Sequence, residues 1–369
     1  MLLTVVFNSC KKPFSPKIID NNNNLLVVEG FINTGADSTI FKLNRTVLLE
    51  NQTTVNPETG ATVNIESESN QVFLLKEEAK GVYASPALQL NPNSKYRLRI
   101  KTAKNSIYLS DFVEVKESPP IDEVGWKITN NGLQIYANTH DASNKTRYYR
   151  WEYTDTWIFH SRYQSFLMWN GTSLVARNNN IYQCWGNQNS STVILGSTAK
   201  LENDVIFQSP ITLIGHHSEK LGLEYSILVK QYALTKEGYQ FYEELKKNTE
   251  TLGSIFDAQP SEIKGNIHNV DSPSEPVIGY ISAGTVQKKR IFLTKQDLTP
   301  AFYLISDCSP LYFVTINRPD EYAGFFGSGE AIPIDYAPSP GPGLNIYTSD
   351  RRCADCTSRG TNKKPSFWP

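Results

Sequence analysis

The chain of 369 residues carries 36 basic and 37 acidic side chains, for a net charge of −1. That balance gives no electrostatic case for nucleic acid, which favours a basic face or stripe. With 39% hydrophobic residues, including 19 Tyr, 17 Phe and 6 Trp, there is apolar material for two or three packed domains.

The chain opens MLLTVVFNSCKK. A secretory signal has a basic start, an apolar core and a small-residue cleavage site; here the run from Leu2 to Phe7 is short and the basic start is missing. Read as the end of a lipoprotein signal, residues 1–10 place Ser9 before the cleavage point and make Cys10 the lipid-carrying residue. Read otherwise, they are a buried first strand. The segment after the cysteine favours the anchor: residues 11–24, KKPFSPKIIDNNNN, have the proline and asparagine content of a solvated tether. No later stretch reaches the roughly 18 apolar residues of a membrane span, so an anchored protein is expected rather than a spanning one.

Residues 25–117 read as a β-sandwich. LLVVEGFI, TIFKL, TVNIE, VFLL, YRLRI and IYLSDFVEVK are short period-two runs separated by turn signals such as NTGADS and NPNSK. In YRLRIK, Tyr96, Leu98 and Ile100 fall on one face while Arg97, Arg99 and Lys101 fall on the other. The paired prolines of SPPID cannot continue a central strand, and a second β-sandwich of the fibronectin-like, immunoglobulin-type class is expected over residues 118–369. In RYYRWEYTDTWIF, Tyr149, Trp151, Tyr153, Trp157 and Phe159 share one parity; the stripe suits a core better than a sugar-stacking platform. Residues 160–200 form a long insertion.

One packed helix is expected near 236–252, where Phe241, Tyr242, Leu245, Thr249 and Leu252 follow helical spacing. Thr235 serves as N-cap, but Gly238 occupies the capping-box position. Gly253 can close the helix, and Pro260 cannot continue it. Beyond it, PVIGYISA and KKRIFL read as strands. The loop-rich C-terminal region containing PIDYAPSPGPGL has too little periodic sequence for its own core, so it is expected to pack on the preceding domain.

No catalytic constellation is present. His216 and His217 are adjacent and would point to opposite faces of a strand, while His140, His160 and His268 are scattered, with no HExxH. Serine-hydrolase and phosphate-loop signatures are absent as well. The reading is of a protein that is not an enzyme, with no catalytic, cofactor-binding or metal residues to assign.

LLVVEG after the lipoprotein-like start, then RWEYTDTW, CW, SILVKQYALTKEGYQFYEELKKNTETLGSIFDAQPSEIKGNIH, PVIGY, KKRIF and CADCTSRGTNKKPSFW, resemble an uncharacterised family of Bacteroidota outer-membrane lipoproteins, catalogued as a domain of unknown function. The resemblance is ordered and covers nearly the whole chain. It implies a cell-envelope lipoprotein, often encoded beside a TonB-dependent outer-membrane receptor, with an N-terminal sandwich of the transthyretin or carboxypeptidase-regulatory type and no established activity. Where the family pattern has Cys after NIH, this chain has Asn269.

An oxidising location makes Cys184, Cys308, Cys353 and Cys356 disulfide candidates. Four cysteines allow three connectivities; the terminal pair is expected to reach Cys184 and Cys308, with a local Cys353–Cys356 bond as the alternative. A redox role for CADC would need a helix N-terminus after it, and Thr-Ser-Arg-Gly-Thr-Asn is a poor helix. The function expected is that of a non-catalytic outer-membrane lipoprotein, on the cell surface rather than the periplasmic face, acting as accessory or ligand-capture partner of a TonB-dependent transporter. Lys11 and Lys12 stand where many surface lipoproteins of that phylum carry an acidic export signal. The alternative is a stand-alone surface adhesin or matrix-binding lipoprotein.

Overall fold

Where apolar residues alternate along the first part of the chain, strands form with one buried face. The computed structural model describes residues 24–47, 55–250, 263–298, 307–339 and 341–369; Cys10, all of the tether but Asn24, and positions 251–253 and 260 at the end of the expected helix lie outside them. β1 (Leu26–Asn33) and β2 (Thr39–Arg45) pair antiparallel and turn Leu26, Val28, Ile32, Phe41 and Leu43 inward. β3 (Thr62–Ser67), β4 (Val72–Ala79), β5 (Val82–Ser85), β6 (Lys95–Lys101), β7 (Ile107–Ser110) and β8 (Val113–Lys116) continue the pattern. In β6, Tyr96, Leu98 and Ile100 enter the core, while Arg97 and Arg99 point out and reach Glu66 at 2.7 and 3.6 Å.

A second unit starts after the prolines. β9 (Ile121–Thr129) and β10 (Gly132–His140) pair antiparallel, and β11 (Tyr148–His160) is the long central strand. Within the expected insertion, β12 (Leu167–Trp169) and β13 (Leu174–Ala176) make a small hairpin, whereas β14 (Gln183–Asn189) and β15 (Ile194–Ser197) both return to pair with β11. β16 (Val205–Ile214) completes a three-stranded sheet with β10 and β9, and β17 (Tyr225–Ala233) pairs with β11. These two sheets share one core, in which Leu133 and Ile135 meet Tyr149, Trp151, Ile227 and Val229. The aromatic stripe therefore lines the interior: Tyr149 and Trp151 are buried in this core, Tyr153 and Trp157 pack half-buried against it, and Phe159 is buried against Cys184 and Cys356. Two buried carboxylates are satisfied in place: Asp204 accepts from Tyr149 and Thr198, and Asp155 from Tyr225 and Lys220.

Buried Gln231 fixes the prolines to this unit. Its Nε2 donates to the Pro119 carbonyl at 2.8 Å, and its Oε1 accepts from the Trp151 indole at 2.9 Å. α1 (Lys236–Glu250) follows β17 directly, with the Thr235 hydroxyl accepting from the Gly238 N–H at 3.1 Å. The missing half of the capping box has a packing reason: a Cβ on Gly238 would lie 3.1 Å from the Tyr280 ring. Phe241 is buried and stacks near Tyr280, with ring centroids 5.4 Å apart.

The chain then returns to the first unit. β18 (Ile267–Asn269) adds to β7, and β19 (Ala283–Gly284) lies parallel to both β1 and β8, between them. Because β8 also pairs with β6, the path β6-β3-β4-β5-β2-β1-β19-β8 closes into a barrel-like ring. Gly284 is required there, since a Cβ would sit 2.0 Å from the Lys116 carbonyl oxygen. Asn269 closes a turn: its Oδ1 accepts from the N–H groups of Asp271 and Ser272 at 2.9 and 3.2 Å. β20 (Val286–Leu293) crosses back to pair with β17. The fold is thus mainly β.

The C-terminal region has no core of its own and packs on the insertion of the preceding unit. β21 (Tyr312–Ile316), α2 (Glu321–Phe326), β22 (Ala331–Ala337), β23 (Leu344–Asp350) and α3 (Arg351–Ala354) build a three-stranded sheet with short helices. Two small cores form on it, and each is shared with the insertion: Leu167 packs with Ile316, Phe326 and Ile346, and Ile181 with Ile332, Ile334 and Ala354. Neither segment has enough apolar residues alone, and reading along the chain cannot add the two halves. Disulfides join Cys184 to Cys356 and Cys308 to Cys353. The tail ends with Trp368 buried against Phe292 and its indole donating to Glu224 at 3.2 Å, while Arg290 stacks over Phe367 at 3.6 Å.

Candidate functional site

Alternation gives β1 and β2 a second, outward face carrying Val27, Glu29, Phe31, Ile40 and Lys42. On β11, β17 and β20 the face away from the shared core carries Arg150, Glu152, Lys230, Tyr232 and Lys288. These two faces oppose each other, with α1 along one side and residues 189–193 along another, and enclose a cleft of about 840 Å³. The walls touch where Phe31 meets Tyr232 edge to face at 5.0 Å, and where Lys288 pairs with Asp37 at 2.6 Å. The cleft is therefore a product of both β units.

Arg150 organises its deep side. The guanidinium lies between the rings of Tyr232, at 4.5 Å, and Tyr242 of α1, at 4.6 Å. Its Nη1 donates to Glu152 Oε1 at 2.6 Å, and the Tyr232 hydroxyl donates to Glu152 Oε2 at 2.8 Å. The Arg150 Nε is buried with no acceptor among the described residues. Burial works against the charge on Arg150, but Tyr242, Glu152 and Tyr232 outweigh it and hold the group above its usual value. Burial likewise pushes Glu152 up, and Arg150 and Tyr232 pull it below the ordinary carboxylate range. Tyr232 is raised by burial and by the neighbouring Glu152. The cluster is a fixed ion pair, with both partners charged at neutral pH.

Chemically, such a cleft can hold a ligand through aromatic faces, a fixed cation and small polar groups. Among the described residues, no group of three or more His, Cys, Asp or Glu side chains is placed to hold a metal ion. The four cysteines are paired away from the cleft lining, and Cys10 lies outside the described residues. Sequence reasoning missed Arg150, Glu152 and Tyr232. Their signal was the parity opposite the aromatic stripe in RYYRWEYTD, which says only that they avoid one core.

A mainly β, disulfide-bonded protein with a cleft between two β units is what these observations define. Residues 11–290, most of the chain, match the model of a domain of unknown function, DUF4249, and the chain belongs to that family. A search of curated proteins gives no match.

Proposed function

We propose that this is a non-catalytic, lipid-anchored protein of the outer membrane that captures a ligand in the cleft on behalf of a TonB-dependent transporter. The cleft carries the capture reading: its volume of about 840 Å³ falls within the roughly 300 to 1,000 Å³ of ligand pockets, and aromatic walls with a few placed polar groups are their usual lining. The anchor reading rests on the apolar run that ends at Cys10 and on the tether behind it. Since one acyl chain binds membranes only marginally, the several chains of a bacterial lipoprotein would supply firm attachment. Transporter partnership and a cell-surface location rest on the family resemblance. We read the barrel-like unit as a closed variant of a transthyretin-like sandwich and the second unit as a fibronectin-like sandwich with an insertion.

Affinity purification of the lipidated protein from detergent-extracted membranes tests the reading. A stoichiometric barrel protein supports it, and a lone lipoprotein would favour the adhesin. Ile40→Trp, which fills the cleft from the exposed face of β2, should abolish ligand retention while leaving the barrel in the eluate.

A further inference from the structure

One pair on the cleft wall breaks a rule of sheet stability. Lys230 of β17 and Lys288 of β20 are direct cross-strand partners, and like charges so placed destabilise a sheet. Lys288 is neutralised from the opposite wall by Asp37 at 2.6 Å. Lys230 has no ion-pair partner among the described residues; its neighbour on the other side, Glu152, already binds Arg150 with one oxygen and Tyr232 with the other. The charged lining of the cleft comprises four basic side chains against three carboxylates, although the chain as a whole is acidic by one charge. Lys230 helps hold Glu152 below its ordinary range without pairing to it directly, so its ammonium keeps donors free in a recess where water is reduced and an ionic hydrogen bond is stronger than on an open surface. Local rules of this kind are broken chiefly where function requires it.

Two further features describe the rest of the ligand. Asn189, Ser191 and Thr192 form an exposed polar run at one end of the cleft, matched to hydroxyl groups, and Ile40 stands exposed on the facing wall, matched to an apolar ring face. We infer that the cleft takes an acidic oligosaccharide, with a sugar carboxylate seated at Lys230. This inference rests on the capture reading and adds the ligand class to it.

Calorimetric titration of the full chain with trigalacturonic acid and with its fully methyl-esterified form tests the assignment. The acid should bind about tenfold more tightly than the ester, the worth of one charge-assisted hydrogen bond, and raised salt should narrow the difference. Lys230→Gln should remove the preference with little change in melting temperature, because it removes a repulsion from Lys288 and an attraction to Glu152 together; Lys101→Gln, remote from the cleft, should leave the preference intact. Equal affinity for acid and ester overturns the carboxylate assignment while leaving capture standing, and so does a preference that survives Lys230→Gln. A large fall in melting temperature in Lys230→Gln, with acid and ester binding lost equally, would mark the residue as structural and sink the inference. Binding of octanoate but of neither sugar overturns the sugar class. Failure of capture itself would appear separately, as Ile40→Trp having no effect on ligand retention in cells.

Discussion

Cys356 is bonded to Cys184 across 172 residues of chain, and through that bond the C-terminal segment is fastened to the edge of the sheet built on β11. The second bond, Cys308 to Cys353, spans 45 residues. Chain entropy makes the longer closure the more stabilising by about 1 kcal/mol, with each bond worth about 2 to 4 kcal/mol. The Cys184→Ala/Cys356→Ala double variant should therefore lose more thermal stability than Cys308→Ala/Cys353→Ala. In hydrogen exchange, reduction should loosen residues 341–369 before either β unit; simultaneous loss of protection everywhere would contradict this.

Gly284 lets β19 stand between β1 and β8. Gly284→Ala places a Cβ against the Lys116 carbonyl at 2.0 Å, and the backbone shift should cost about 1 to 3 kcal/mol. A fragment of residues 24–117 would lack this stave and the β18 edge as well. It should give a poorly dispersed amide spectrum that sharpens when residues 263–285 are supplied as a peptide. A well-folded fragment alone would show the stave to be dispensable.

Arg150 is not replaceable by lysine. Its flat guanidinium fills the gap between Tyr232 and Tyr242 while binding Glu152, and an ammonium cannot do both. Arg150→Lys should cost about 1 kcal/mol. Arg150→Ala should cost about 2 to 3 kcal/mol, below the range for fully buried pairs because the Glu152 side chain is 39% exposed. Denaturant unfolding measures both, and a ranking with Lys as poor as Ala would show that charge contributes nothing.

Several parts of this structure were legible in the sequence. YRLRIK and TKEGYQFYEE carry a period and a cap that act within a few residues, so the faces of β6 and the N-cap Thr235 follow from local physics. By contrast, β18 is three residues long, too short to show a period. PVIGYISA, expected as a full strand, contributes only the Ile278 bridge to Val27 and the start of the two-residue β19, because this segment serves as a narrow stave set by its partners rather than by its own alternation. The cleft was hidden for a related reason. Arg150, Glu152 and Lys230 alternate like any solvent-facing residues, and only the arrival of β1 and β2 opposite them makes the face a recess.

Asp141 predicts an acid limb. Burial opposes its charge, but the Ser143 hydroxyl and the N–H groups of Thr146, Ser143 and Lys145 outweigh that effect and bring its pKa from 3.8 to about 2. With the folded value below the unfolded one, the stabilisation is complete above about pH 4 and is lost as pH falls towards 2. Discounted for solvent screening, it amounts to about 1 kcal/mol. Asp141→Ala should remove that part of the stability difference between pH 6 and pH 2.5 in urea unfolding. An unchanged difference would show that the carboxylate is not held as described.

The late origin of the closing stave imposes an order on biogenesis. Ile32 finds its partner only when Ala283 has been made, and elongation over about 250 residues takes about 10 to 50 s. Over that interval β1, and β8 once it has been made, present unpaired edges to their surroundings, a hazard for aggregation. The N-terminal unit cannot mature ahead of the rest, so a chain arrested before residue 283 would keep those edges open and be cleaved by proteases that recognise unfolded segments.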